Sequence, residues 1–182
     1  SFCAAVGGEV AAVEKNGHWG KVRATDFQLH SVSCVSSHWC LAVGGDGRTL
    51  RYDGTAWHRG PRATAATTSL VGLSCVSRTF CMATDESAET RVFRYDGHGW
   101  RRQGQLPLSF NEQNGSISCG SPTLCVAAGR GPATARWNGH RWIQHALPFG
   151  PFEAGAVSCG THFCELLTTS HAVEWHDGWG AV

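Results

Sequence analysis

Short apolar runs of four to six residues recur along the chain: Trp39–Val43, Phe80–Ala83 and Leu124–Ala128, each entered from a polar turn and left through a glycine-rich or acidic one. Runs of this length bounded by turn residues, with alternation at period two in the flanking segments, predict buried β-strands. Helical spacing is absent from these segments, which argues against a helical solenoid.

The runs belong to a longer unit. The stretches SVSCVSSHWCLAVGGDGRTLRYDGTAWHR, LSCVSRTFCMATDESAETRVFRYDGHGWRR, SISCGSPTLCVAAGRGPATARWNGHRWIQ and AVSCGTHFCELLTTSHAVEWHDGW superimpose, and FCAAVGGEVAAVEKNGHWG is a fifth copy lacking its front. The first cysteines of the complete copies, Cys34, Cys75, Cys119 and Cys159, lie 41, 44 and 40 residues apart, the repeat length of four-stranded blades. Within a copy, strand A is the Val32–Cys34 type of segment, strand B the apolar run, strand C ends at Tyr52, and strand D surrounds Trp57. An Asp-Gly or Asn-Gly pair separates C from D in every copy (Asn16-Gly17, Asp53-Gly54, Asp96-Gly97, Asn138-Gly139, Asp177-Gly178) and predicts a type I′ hairpin turn.

Nine cysteines change the picture. Eight form close pairs, Cys34/Cys40, Cys75/Cys81, Cys119/Cys125 and Cys159/Cys164, and Cys3 is left unpaired. Zinc sites favour C-x2-C or C-x4-C pairs with a second pair or histidines at fixed offset, whereas each pair here recurs alone. Disulfides are expected, and with them secretion to an extracellular, oxidising setting. A strand A carrying the partner of Cys3 is expected upstream of Ser1 in the precursor; without it the first unit is three-stranded and Cys3 is a free or intermolecular thiol.

Five meanders too small to bury a face alone must stack on one another. The pattern S-x-S-C-x(3,5)-[FWL]-C-x-A-x-G followed by [YW]-[DN]-G-x-x-W resembles the tandem cysteine-paired propeller repeats of secreted bacterial proteins and of extracellular sensor parts of bacterial membrane kinases. In architecture it is similar to the five-bladed tachylectin-like lectins. The resemblance implies an all-β, five-bladed β-propeller of four-stranded antiparallel blades with one disulfide per blade. One domain spans 1–182, with blades near 1–30, 31–72, 73–115, 116–155 and 156–182. A β-sandwich is the competing architecture, and it leaves the cysteine period unexplained.

Lys plus Arg number 15 and Asp plus Glu 14, so no cationic excess exists to neutralise a nucleic-acid backbone. No apolar stretch approaches the roughly 18 residues of a membrane helix. Ten histidines are scattered without ligand spacing; neither a metal site nor a cofactor is expected. Trp19, Trp57, Trp100, Trp142 and Trp179 follow the turns at near-constant offset, which favours packing on the neighbouring blade over sugar stacking.

Alternating strand directions place the A–B and C–D turns on one face and the B–C and D–A connections on the other. The second face varies among copies, and function on a repeat scaffold sits where copies diverge. Its expected ligand residues are Asp26, Gln28, Arg48, Asp85, Asn111, Glu112, Arg130, Glu153 and His171, with Phe27, Leu70, Phe110 and Phe152 anchoring the loops. Glu165 stands where other copies have Ala4, Leu41, Met82 and Val126, and a buried carboxylate there would be a general-acid candidate beside Glu112 and Glu153. The leading expectation is a secreted module recognising carbohydrate or another small polar ligand; a glycosidase-like or cyclase-like enzyme, and a protein-interaction or sensor domain, remain as alternatives.

Overall fold

A computed structural model describes residues 1–64, 68–106, 115–129, 133–147, 154–168, 171–176 and 179–181. Its strands are β1 (Phe2–Lys15), β2 (His18–Trp19), β3 (Arg23–Ser36), β4 (Trp39–Gly44), β5 (Thr49–Tyr52), β6 (Trp57–Arg59), β7 (Leu70–Ser77), β8 (Phe80–Asp85), β9 (Arg91–Tyr95) and β10 (Trp100–Gln105). They continue with β11 (Ser116–Ser121), β12 (Leu124–Ala128), β13 (Ala133–Trp137), β14 (Trp142–Ala146), β15 (Ala154–Cys159), β16 (Cys164–Thr168), β17 (Ala172–Trp175) and β18 (Trp179–Ala181). Three sheets are four-stranded antiparallel meanders, β7–β10, β11–β14 and β15–β18, matching the third, fourth and fifth repeats.

The remaining sheet runs β2-β1-β3-β4-β5-β6 and holds the first two repeats. Fourteen extended residues would carry β1 about 45 Å, yet the Asn16 N–H donates to the Ser1 carbonyl (3.2 Å) and Ser1 Oγ donates to Glu14 (3.0 Å). The strand therefore doubles back, and the reversal falls at Gly7-Gly8, where Gly8 takes a φ of +52°. Arg23 and Ala24 of β3 pair with Ala11 and Val10, while Leu29–Ser36 of the same strand pair with β4. One long strand thus serves as the outer edge of the first unit and the inner edge of the second. The first unit has no strand A, and Cys3 is a free, exposed thiol.

In the other four units, cysteines directly opposite across strands A and B are bonded: Cys34–Cys40, Cys75–Cys81, Cys119–Cys125 and Cys159–Cys164. The serine before each first cysteine links unit to unit. Ser33, Ser74 and Ser118 Oγ accept hydrogen bonds from the backbone N–H of Cys75, Cys119 and Cys159 in the next unit, at 3.0, 2.9 and 2.9 Å. The S-C dipeptide therefore closes its own hairpin through sulfur and holds its neighbour through oxygen.

Between consecutive units lie four apolar cores. Ala11, Phe27, Leu29, Cys40 and Tyr52 join units one and two; Trp39, Leu41, Val43, Leu73 and Phe93 join two and three. Phe80, Met82, Ile117 and Trp137 join three and four; Leu124, Val126, Leu166 and Trp175 join four and five. Covered on both faces, β4, β8 and β12 are buried at every residue, which explains their unbroken apolar runs. In β16 burial alternates, because only one face is covered. Phe163 and Leu167 on the other face are 40% and 54% exposed. Among the described residues no apolar core joins unit five to unit one.

One local expectation needs correction. Asn16 and Gly17 both take positive φ and form the expected two-residue turn between Lys15 and His18. Tyr52, however, pairs with Trp57, so Asp53–Ala56 is a four-residue turn in which only Gly54 has positive φ (+101°). Asp53 Oδ1 accepts from the Thr55 and Ala56 N–H groups, and Asp96 and Asn138 do the same in their turns. A four-residue loop does not need the positive φ that a two-residue loop demands at its first residue, and the side chain satisfies the turn donors. The tryptophans after these turns pack on the ring across strands C and D, Trp57 on Tyr52, Trp100 on Tyr95 and Trp142 on Trp137, at 5.3, 5.3 and 5.8 Å between centroids, and as expected they also border the apolar cores between units. Each pair faces directly across strands C and D, so register brings the rings together. Trp19 stays exposed, and Asp177-Gly178 lies outside the described residues.

Candidate functional site

The two faces separate as their turns demand. Gly54 of a C–D turn lies against His38 of an A–B turn, and Gly47 of a B–C turn lies against Thr64 of the following D–A connection. On the second face, β3 passes in close contact with the B–C turn of the second unit. A Cβ at Gly44 would stand 1.9 Å from the Gln28 carbonyl oxygen, so glycine there is what lets the turn meet the connection. That contact brings Asp26, Gln28 and Arg48 into one neighbourhood.

Asp26 is the hub. Its Oδ1 accepts from Arg59 Nη2 at 2.7 Å, its Oδ2 from Arg48 Nη1 at 3.3 Å, and its carbonyl from Arg48 Nη1 at 3.4 Å. The hydrogen bond from Arg59, aided by both guanidinium charges, lowers the Asp26 pKa below the ordinary carboxylate value and keeps the group ionised at neutral pH. The Arg48 guanidinium lies 5.6 Å from the centroid of the Phe27 ring, in cation–π range, and reaches Asp46 at 3.9 Å. Phe27 is buried as the expected loop anchor, and Leu70 likewise. Two depressions flank Arg59: one of about 320 Å3 lined by Phe27, Arg48, Thr49, Arg59, Gly60 and Arg62, and one of about 310 Å3 that includes Arg23, Thr25, Asp26 and Leu50.

The other expected residues fall elsewhere. Asp85 is fully buried. Its Oδ2 accepts from Arg91 Nε at 2.5 Å, and its Oδ1 from Ser87 Oγ and the Arg91 N–H at 2.6 and 2.8 Å. These bonds shape its own B–C loop and engage its carboxylate within the protein. His171 caps the last B–C turn, its N–H donating to Thr168 Oγ1 at 3.0 Å. Glu165 is exposed on the uncovered face of β16, directly across from Glu174; the burial that would make it a general acid is missing. Asn111, Glu112, Arg130 and Glu153, with Phe110 and Phe152, lie outside the described residues. Arg59, Arg62 and Arg23 join the site without having been expected. The Arg59-Gly60-Pro61-Arg62 run was the available signal, obscured because Arg59 belongs to a regular strand D.

Among solved structures, a chain of a nidogen/laminin complex superimposes with a TM-score of 0.69 at 12% identity, over 92% of this chain and 67% of that one. Virginiamycin B lyase from Staphylococcus aureus gives 0.71 at 9%, over 94% and 65%. YCF48 bound to a D1 peptide gives 0.66 at 16%, over 97% and 62%. All three are β-propellers. The chain folds as a β-propeller. Its repeat units are blades, and it spans about two thirds of the length of each of these propellers. No protein-family model and no curated protein matches the chain. At these identities the likeness concerns fold, and propellers carry many unrelated functions.

Proposed function

We propose that this propeller is a secreted recognition module that binds carbohydrate through its variable loop face, at the junction of blades one and two. The observation that supports it is the Arg48–Asp26–Arg59 network beside the Phe27 ring, between two depressions of monosaccharide size. Pre-oriented guanidinium and carboxylate groups next to an apolar floor suit a hydroxyl-rich ring, which offers both donors and acceptors. Four disulfides support an oxidising compartment. A glycan array probed with the intact protein is expected to give a small set of binders, and Asp26→Ala to weaken them by about tenfold through loss of both arginine anchors. Failure to bind any glycan at millimolar concentration would sink the reading.

A protein partner is the second reading, favoured by a larger depression of about 630 Å3 at the outer edge of blades one and two, where Val13, Val22, Tyr52 and Trp57 meet Lys15 and Lys21. The structural neighbours include a nidogen/laminin complex and a peptide-bound propeller. Peptides printed on the same array, bound while every glycan stays dark, would favour it. The catalytic reading gains no geometric support from the exposed Glu165.

A further inference from the structure

We infer that the ligand of this loop-face site is an acidic saccharide, bound by a carboxylate or sulfate group seated between Arg48, Arg59 and Arg62. The inference rests on the carbohydrate reading above and specifies it. The first depression has three guanidinium groups and no carboxylate among its lining side chains. Asp26 divides its single charge between Arg48 and Arg59, and Asp46 reaches only Arg48, at a long distance. Arg62 and Arg23, which lines the second depression, have no ion-pair partner among the described residues. Four arginines therefore face two aspartates in one corner of a chain whose formal net charge is +1.

That surplus is also oriented. Arg59 spends one Nη2 donor on Asp26, and Arg48 spends Nη1 on Asp26 while its plane is held near Phe27. Each guanidinium carries five N–H donors in a fixed fork, so most remain for a planar or tetrahedral oxyanion. Arg59 borders both depressions. An acidic group on Arg59 would place its own ring in one depression and the adjoining sugar in the other, so the smallest well-held ligand is a disaccharide unit. The guanidiniums are partly open to water (the Arg48 and Arg59 side chains are 28% and 64% exposed), so screening keeps each ion pair weak and a repeating polymer gains by avidity.

The test is isothermal titration of the intact protein with oligogalacturonate, a sulfated oligosaccharide, a neutral oligomer of equal length and inorganic sulfate. One or both acidic oligomers are expected to bind about tenfold or more tighter than the neutral one, weakening as salt rises, and inorganic sulfate to bind weakly at most. Arg62→Glu and Arg59→Ala, which remove exposed side chains and are checked by an unchanged thermal midpoint, are expected to abolish the acidic preference. Equal binding of acidic and neutral oligomers would overturn this inference and leave the carbohydrate reading standing. Loss of binding to all would overturn both. Acidic binding untouched by the two variants would place the ligand elsewhere and overturn the site.

Discussion

Asp53 and Asp96 hold equivalent turns together through an ionised carboxylate, and Asn138 holds its own through a neutral amide. The backbone hydrogen bond from Ala56, then those from the Thr55 hydroxyl and N–H, lower the Asp53 pKa, and the backbone hydrogen bonds from Gly99 and His98 lower that of Asp96. A depressed folded-state pKa means the contribution is complete above the unfolded value of about 4 and is lost as pH falls below it. The Asp53→Asn/Asp96→Asn double variant keeps both acceptors and loses the titration. Its thermal midpoint is expected to fall less steeply than the wild type's between about pH 4 and pH 2; parallel curves from melts across that range would contradict the account. The motif itself was legible as a turn. Its type was not, because Asp-Gly serves both a two-residue I′ loop and a four-residue loop, and only the pairing of Tyr52 with Trp57 distinguishes them.

At the scale of elements, the S-C dipeptide is the unit of construction. Ser74 is half-buried and accepts from the Cys119 N–H, whereas Ser158 is exposed at the end of the series. Ser74→Ala leaves a partly buried N–H without its acceptor and is expected to cost about 1 kcal/mol in denaturant unfolding. Ser158→Ala should change stability by less than about 0.5 kcal/mol. Equal effects would show that the serine acts within its own hairpin and not between blades. The cysteine partners were readable from spacing, since a hairpin of six residues leaves few other geometries. The serine's reach to the next blade was not, because nothing local marks a hydroxyl whose donor lies more than 40 residues away. The same limit applies to Asp85 and Glu165. One carboxylate is buried by its own loop and the other lies on the exposed face of β16, and neither condition is written at its position.

Across the whole molecule, stability passes from blade to blade through four apolar cores, so it approximates a sum of neighbour interfaces. The strands covered on both faces, β4, β8 and β12, are expected to show the slowest amide hydrogen exchange, and β1 and β17 the fastest among strands. Exchange measured by mass spectrometry on the intact, oxidised chain checks this, and uniform protection from blade one to blade five would mean that the end blades are covered in solution. The loop face belongs to this scale too. Asp26, Arg48 and Arg59 come from strand β3, a turn and a strand end, and Gly44 lets β3 and the turn approach.

The sequence by itself determined the repeat, its four-stranded unit, the cysteine pairing and the burial of the B strands, because each is enforced within about 40 residues by period, turn chemistry and apolar runs. The tertiary structure alone decided which blade faces are covered, how serine joins one blade to the next, and which charged side chains share a site. Those outcomes depend on the distance between residues far apart in the chain, and a local pattern carries no measure of it.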